Sequence, residues 1–533
     1  MNKSKSIKFV LLLTTIILIA VVFNKFESRD AYSSDSLREQ LERFNEVFSF
    51  INRYYVETPD REKIITGAIN GMLSELDPHS AYIPPASLQR MTEEFQGEFE
   101  GIGIEFVVLN KILTVVSPIV GGPSEAVGLL PGDQIIRIEG ESAYDIKEEQ
   151  VQKKLRGKKG TQVTVTINRP GQSEQFDVTI TRDKIPIYSV MASFMLDDGN
   201  TGYIYLGRFA RTTSQEVEEA LNKLQGQGMQ QLIFDLRGNS GGYLDQAFAV
   251  ADKFIPGGYK IVYTKGRLDN VSEEFFSTDR NTHPLYPMVV LINHGSASAS
   301  EIVSGAIQDL DRGLVLGQTS FGKGLVQQQI PLRDGGALRL TVSRYYTPSG
   351  RLIQRPYEDE NLLDYYSEAY DDTAFVHKPD TTQQYLTLAG RTVFGGGGIT
   401  PDSILASEKI TRFTYLLRMK RVFFEFGSTW GGEHRDDYLD FEAFKRDFVV
   451  DSRMVENLRE IIAKQEIEFS QEAYEKDADY IHLEMKAEVA RHLWDSEHYY
   501  VIRIKGDSEV EHAISLMADA ERIKNLHAWN AMR

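Results

Sequence analysis

A serine-rich turn and a lone lysine are the residues of this chain best suited to chemistry. Gly295-Ser296-Ala297-Ser298-Ala299-Ser300-Glu301 offers small hydroxyl side chains where an apolar run gives way to a helical pattern. Further on, Phe321-Gly322-Lys323-Gly324 holds one lysine between two glycines. A serine hydroxyl becomes a nucleophile when a partner takes its proton, and a neutral lysine can be that partner. Burial supplies the neutral form by disfavouring the charged one. Spacing leaves Ser296, Ser298 and Ser300 equivalent, and it leaves open that one of them only caps the helix. Gln327, four residues after Lys323, is placed to hold the amine. A third segment, Asp235-Leu236-Arg237-Gly238-Asn239-Ser240-Gly241-Gly242, joins a strand to a helix and can point N–H groups at an anion. The phosphate-loop pattern G-x-x-x-x-G-K-[ST] is absent, so an oxyanion hole beside a serine fits this loop better. The rival base is a histidine. His294 lies in the nucleophile's own turn, an awkward place from which to reach it, and His79 follows Asp77-Pro78. No His, Asp or Glu cluster has metal-ligand spacing, and no cofactor is expected.

Three kinds of element must position these groups. Between 200 and 350 strands alternate with helices: strands at 202–206, 231–236, 288–292 and 314–317, helices at 214–225, 244–254 and 301–310. That alternation predicts an α/β layer architecture, with the serine turn at the carboxyl end of a strand. The helix after it puts its N–H groups and positive dipole end near the serines. Before this region, short strands, glycines and one short helix at 148–155 make up a unit of about 90 residues. At the other end, helical periodicity dominates after 406, with helices at 454–465 and 482–494 and a last one from Ser508. An early helix carries Leu37, Leu41, Phe44 and Val47, and a second starts near Thr58-Pro59, with Thr58 as its cap.

Composition narrows the class. The chain has 533 residues, 59 basic against 77 acidic, and a net charge of −18. Its length calls for several domains, and its acidity argues against nucleic acid as a partner. There are no cysteines, which excludes disulfides, thiol nucleophiles and a lipidated cysteine. Lys3, Lys5 and Lys8 precede an apolar run at 9–23, the pattern of an export signal. Ala20-Val21-Val22-Phe23 offers no small-x-small cleavage site, which favours an uncleaved signal anchor at 1–28 with the rest of the chain outside the cytoplasm.

Seven segments in order resemble the carboxy-terminal processing (tail-specific) serine peptidases. They are Leu76-Asp77-Pro78-His79-Ser80, Gly101-Ile102-Gly103-Ile104, the 235–242 loop, Ser296 to Glu301, Phe321 to Gly324, Tyr346-Thr347-Pro348-Ser349-Gly350-Arg351 and Gly397-Gly398-Ile399-Thr400-Pro401-Asp402. The resemblance implies a multidomain α/β protein: an N-terminal helical segment at 29–93, a PDZ domain at 94–184 inserted before a crotonase-like protease core at 185–405, and a C-terminal helical region at 406–533. It implies Ser298 as nucleophile, Lys323 as general base, Gln327 orienting the lysine and Asp309 in support. Ala299 and one of the glycines 241–242, with Gly241 the choice over Gly242, would supply the oxyanion N–H groups. The segment Gly101-Ile102-Gly103-Ile104 would bind the carboxylate of an unstructured, apolar substrate tail, and Arg156 is a candidate to couple PDZ domain and protease. The implied enzyme is an endopeptidase on the periplasmic side, anchored to the inner membrane; a homo-oligomer is left open. Two alternatives stand beside it. One is a non-catalytic PDZ protein on a degenerate protease fold, against which the joint presence of Ser298, Lys323 and Gln327 speaks. The other is an esterase-like hydrolase that would require His294.

Overall fold

The computed structural model describes residues 36–280, 283–357, 365, 382–406 and 409–526. The apolar run 9–23 and nearly all of the acidic, tyrosine-rich stretch 358–372 lie outside the described residues. The chain divides into two units, Met1–Asp77 and Pro78–Arg533. In the first, helix α1 (36–54) exposes Leu37, Leu41, Phe44 and Val47. Helix α2 (Arg61–Ser74) is capped by Asp60, whose carboxylate accepts from Lys63 N–H at 3.0 Å. The start therefore falls beyond Thr58-Pro59, because a carboxylate caps better than a hydroxyl and also meets the positive end of the dipole.

In the second unit a short strand, Ala81–Ile83, which pairs with Ala337–Arg339, precedes helix α3 (Pro85–Gln96) and then the PDZ domain. Strands β1 (Ile104–Leu109), β2 (Ile112–Pro118) and β3 (Gln134–Ile138) are followed by helix α4 (Glu148–Leu155), β4 (Gln162–Asn168) and β5 (Phe176–Thr181). The strands form an antiparallel sheet in the order β1-β2-β3-β4-β5. Leu113, Val115, Ile135, Val163, Val165 and Ile167 are wholly buried in its core. At its base Glu98–Gly101 pairs with Asp183–Pro186, so the chain enters and leaves the inserted domain at one place.

The protease core is a six-stranded sheet. Its strands are β6 (Val190–Met195), β7 (Thr201–Leu206), β8 (Gln231–Asp235), β9 (Met288–Ile292), β10 (Leu314–Gly317) and a short last strand, Ser403–Ile404, in that spatial order. The first pair is antiparallel and the rest are parallel. Helices α5 (Thr213–Gly226), α6 (Leu244–Asp252) and α7 (Ala299–Asp309) pack on one face. A hairpin of β11 (Leu325–Pro331) and β12 (Ala337–Tyr346) follows β10.

The C-terminal region has helices α8 (Arg412–Met419), α9 (Val422–Glu433), α10 (Ser452–Lys464), α11 (Ala478–Leu493), α12 (Ser496–Arg503), α13 (Ser508–Ser515) and α14 (Met517–Lys524), besides shorter ones. The first of these share a core around Leu417, Phe426, Leu458 and Met485. The last two do something else. Along the strands of the protease sheet, Leu232, Phe234, Val290 and Ile292 face α5, α6 and α7, while Ile233, Val289, Leu291 and Leu316 face the opposite way, as period-2 alternation demands. That opposite face is covered by Val510, Ala513, Met517 and Ala520 from α13 and α14. A parallel sheet must be buried on both faces, and each large side chain sealed there contributes about 1.5–3 kcal/mol.

Candidate active site

Strand β9 is buried throughout and delivers the serine turn to the carboxyl edge of the parallel sheet. The three serines part company there. Ser296 Oγ donates to the Leu236 carbonyl at 2.8 Å, and Ser300 Oγ to the Asn239 carbonyl at 2.8 Å. Both are buried, and they staple the 235–242 loop to the turn. Ser298 is half-buried and lines a cavity of about 520 Å³ together with Lys323 and Gln327. Its backbone has φ 54° and ψ −109°. Positive φ in a residue with a Cβ is strained, and such strain concentrates at functional sites.

Lys323 Nζ donates to Gln327 Oε1 at 3.0 Å, from the loop before β11 to a residue on it. The Gln327 Nε2 is buried with no acceptor among the described residues. The turn and the lysine loop meet on Glu301, a wholly buried side chain. Its Oε2 accepts from Ser298 N–H at 2.7 Å and from Lys323 N–H at 3.0 Å. Its Oε1 accepts from Ser320 Oγ at 2.6 Å and Gly322 N–H at 2.7 Å. Burial raises the pKa of this carboxyl, against the pull of those four donors. Tyr345 Oη lies 3.1 Å from the Ser298 carbonyl and 2.5 Å from that of Lys323, and its one proton serves either. Burial holds that phenol in its protonated form.

The glycine loop departs from expectation in one detail. The N–H of Gly241 donates to Asn239 Oδ1 at 2.9 Å, so it is already spent. The N–H groups of Gly242 and Ala299 have no acceptor among the described residues, and both residues line the cavity. Gly241 matters by having no side chain: with φ +97°, a Cβ there would lie 2.9 Å from Ser298 Cβ and 2.7 Å from the Ala297 carbonyl. The buried Asn239 amide closes its own turn onto Gly241 and leaves the Gly242 N–H facing no acceptor among the described residues.

The remaining candidates separate by position. His294 Nδ1 pairs with Gln318 Oε1 at 2.9 Å, and His294 does not line the cavity. His79 packs edge-on against Phe321 and Tyr365, next to the lysine loop. Asp309 sits at the far end of α7, where it pairs with the wholly buried Arg351 at 2.6 Å and accepts from Ser349. It supports the helix and the 346–351 turn and is remote from the cavity. Ile102 is buried in the PDZ core and, with Gly103 and Ile104, lines a second cavity; the N–H groups of Ile102 and Gly103 have no acceptor among the described residues. Arg156 pairs with Glu93 on α3 and lies over the ring of Phe99. On the same helix, Phe95 packs at a tilt against Tyr243, the residue after Gly242.

Family models match the chain in four places: Peptidase family S41 at 200–359, PDZ domain at 101–180, the activating protease CtpB N-terminal domain at 21–85, and a family of unknown function at 413–495. The carboxy-terminal-processing protease of Bartonella bacilliformis is 39% identical over 351 residues, which are 65% of this chain and 80% of that protein. The chain belongs to the carboxy-terminal processing protease family. Within that family, CtpB of Bacillus subtilis is 37% identical over 60% of this chain and 67% of its own length. The solved photosystem II D1 C-terminal processing protease is 27% identical, with a TM-score of 0.34 over 71% of this chain and 96% of that one. The fold is thus an S41 peptidase core with an inserted PDZ domain, an N-terminal domain and a C-terminal helical region, and the chain is a serine-type carboxy-terminal processing peptidase.

Sequence reasoning passed over three residues at this processing-protease site. Glu301 carried a readable signal, since Ser-x-x-Glu ahead of an apolar helix is a capping pattern. Tyr345 carried none. Arg237 sits in the glycine loop between Asp235 and two carboxylates of the C-terminal region, Asp507 at 2.8 Å and Glu509 at 2.6 Å.

Proposed function

We propose that this chain is an extracytoplasmic serine endopeptidase that captures the C-termini of protein substrates on its PDZ domain and cleaves upstream through a Ser298 acyl-enzyme. Neutral Lys323, held by Gln327, takes the proton of Ser298 Oγ as that oxygen attacks the scissile carbonyl carbon. The negative charge that develops on the carbonyl oxygen is met by the N–H groups of Ala299 and Gly242 and by the positive end of α7. Collapse breaks the C–N bond, and the Lys323 ammonium returns its proton to the leaving amine. Water then attacks the ester, with Lys323 again taking the proton, and Ser298 Oγ leaves and is reprotonated.

The observation that carries this reading is that Ser298 and an amide-oriented Lys323 open onto one cavity beside two N–H groups without acceptors among the described residues. The unspent N–H groups of Ile102 and Gly103 support the tail-capture role, because backbone nests of this kind hold C-terminal carboxylates. The basic flank and apolar run at 9–23 support export and membrane anchoring. Ser298→Ala and Lys323→Ala should each abolish cleavage of an unfolded protein with an apolar tail while the fold survives, and a fluorophosphonate should label Ser298. Normal turnover by either variant, or label on another serine alone, would overturn the mechanism.

A further inference from the structure

Strand β1 is the outermost strand of the PDZ sheet, pairing with β2 on one side. Its other edge offers backbone groups to an added strand, which is how a captured tail would bind. Side chains along β1 alternate. Ile104, Phe106 and Val108 turn toward the PDZ core, and Val107 and Leu109 turn the other way. That other face is covered by the C-terminal helical region. Phe424 of α9 packs on Val107 and Val116, and Asn110 Nδ2 donates to Glu425 Oε1 at 3.0 Å. The groove beside β1 thereby becomes a cavity of about 570 Å³ with two walls. Ile104 and Leu155 line it from the PDZ side, and Arg418, Arg421, Arg491 and Tyr499 from the helical side.

A tail laid along β1 alternates as the strand does. Its last side chain enters the apolar pocket on the PDZ side. The second and fourth residues from the end then face the helices. The charges on that wall are unequally committed. Arg491 pairs with Glu488 at 2.9 Å and stacks on Tyr499, and Glu484 pairs with Arg503 at 2.8 Å. Arg418 and Arg421 are exposed and have no ion pair among the described residues. The one lining carboxylate in the same condition is Glu105, so the uncommitted balance is positive.

We propose that the C-terminal helical region is the second wall of the tail-binding groove, and that Arg418 and Arg421 select tails with an acidic residue at the second position from the end. This rests on the PDZ domain being the tail receptor.

The test is binding of short fluorescein-labelled peptides to the full-length chain carrying Ser298→Ala. The peptides end Glu-Val, Ala-Val or Lys-Val, each as free acid, with the first also amidated. The free acid ending Glu-Val should bind about fivefold more tightly than the one ending Lys-Val, the yield of a partly solvated ion pair. Arg418→Gln with Arg421→Gln should erase that preference and leave the loss on amidation intact. If the three free acids bind within twofold while amidation weakens binding, the wall is overturned and the tail receptor stands. If the double variant keeps the full preference, the assignment to these arginines is overturned. If amidation has no effect, the tail receptor fails and the wall fails with it.

Discussion

Glu301→Gln tests whether one buried carboxylate sets the positions of nucleophile and base. The natural side chain accepts four hydrogen bonds, two on each oxygen. Glutamine keeps one oxygen and turns the other into an NH₂ donor. If that NH₂ takes the place of Oε2, it faces Ser298 N–H and Lys323 N–H. If it takes the place of Oε1, it faces Ser320 Oγ and Gly322 N–H. The first orientation loses two buried acceptor contacts and the second only that of Gly322 N–H, because the Ser320 hydroxyl can turn to accept from the NH₂; at about 1–3 kcal/mol each, the cost is about 1–6 kcal/mol. That is comparable with a large part of a domain's stability of about 5–15 kcal/mol, so the chain should fold but loosen locally. Misplacing reacting groups by about 1 Å costs about 100-fold in rate. The expected result is therefore a kcat for an unfolded, apolar-tailed substrate reduced about 100-fold. Fluorophosphonate labelling of Ser298 should slow in parallel, and tail-peptide binding should be unchanged. Glu301→Asp, which keeps the charge but shortens the reach, should recover part of the rate. A Glu301→Gln enzyme with kcat close to that of the natural protein would refute the argument, since the two loops would then hold their geometry without the carboxylate.

Two further predictions concern protons. Because Lys323 must be neutral to act, kcat/KM should rise with pH, and Lys323→Arg, whose guanidinium stays charged, should be inactive at every pH; activity in that variant would exclude the lysine as base. Burial lowers the pKa of His492 to about 3, below its unfolded value, so the unfolded chain binds the extra proton between the two and stability falls as pH drops through that window. At pH 4 the contribution of His492 to that loss is about 3 kcal/mol, to be read as a lower denaturant midpoint of the C-terminal region than at pH 7, and His492→Leu should narrow the difference.

What the sequence made legible followed from local physics. Strand β9 is an apolar run with nothing polar in it, and a run of that kind between turn signals reads as a buried parallel strand. The choice among the serines was not legible locally. What separates Ser296 and Ser300 from Ser298 is bonding to carbonyls of the 235–242 loop, about 60 residues earlier, which no spacing rule contains. The last helix was expected to run on from Ser508, yet it breaks at Leu516 between α13 and α14. Ser515 Oγ donates to the His512 carbonyl at 2.6 Å, a side chain competing with the backbone for an acceptor. The second wall of the PDZ groove left no local trace, because it depends on where α9 and α11 dock.

The C-terminal helices also bear on the chemistry at the oxyanion loop. Arg237 lies among Asp235, Asp507 and Glu509, and Tyr203 Oη donates to Asp235 at 2.7 Å. Asp507 is at once the cap of α13, accepting from Val510 N–H, and a partner of Arg237. The carboxylate that caps α13 therefore also meets part of the loop arginine's charge. With α13 undocked, Arg237 keeps Asp235 but loses two carboxylates. Spatial continuity from the groove wall through α12 to this loop is not in itself coupling. The narrower consequence follows from charge alone. The loop that presents Gly242 to Ser298 has its full set of counter-charges only while α13 is in place.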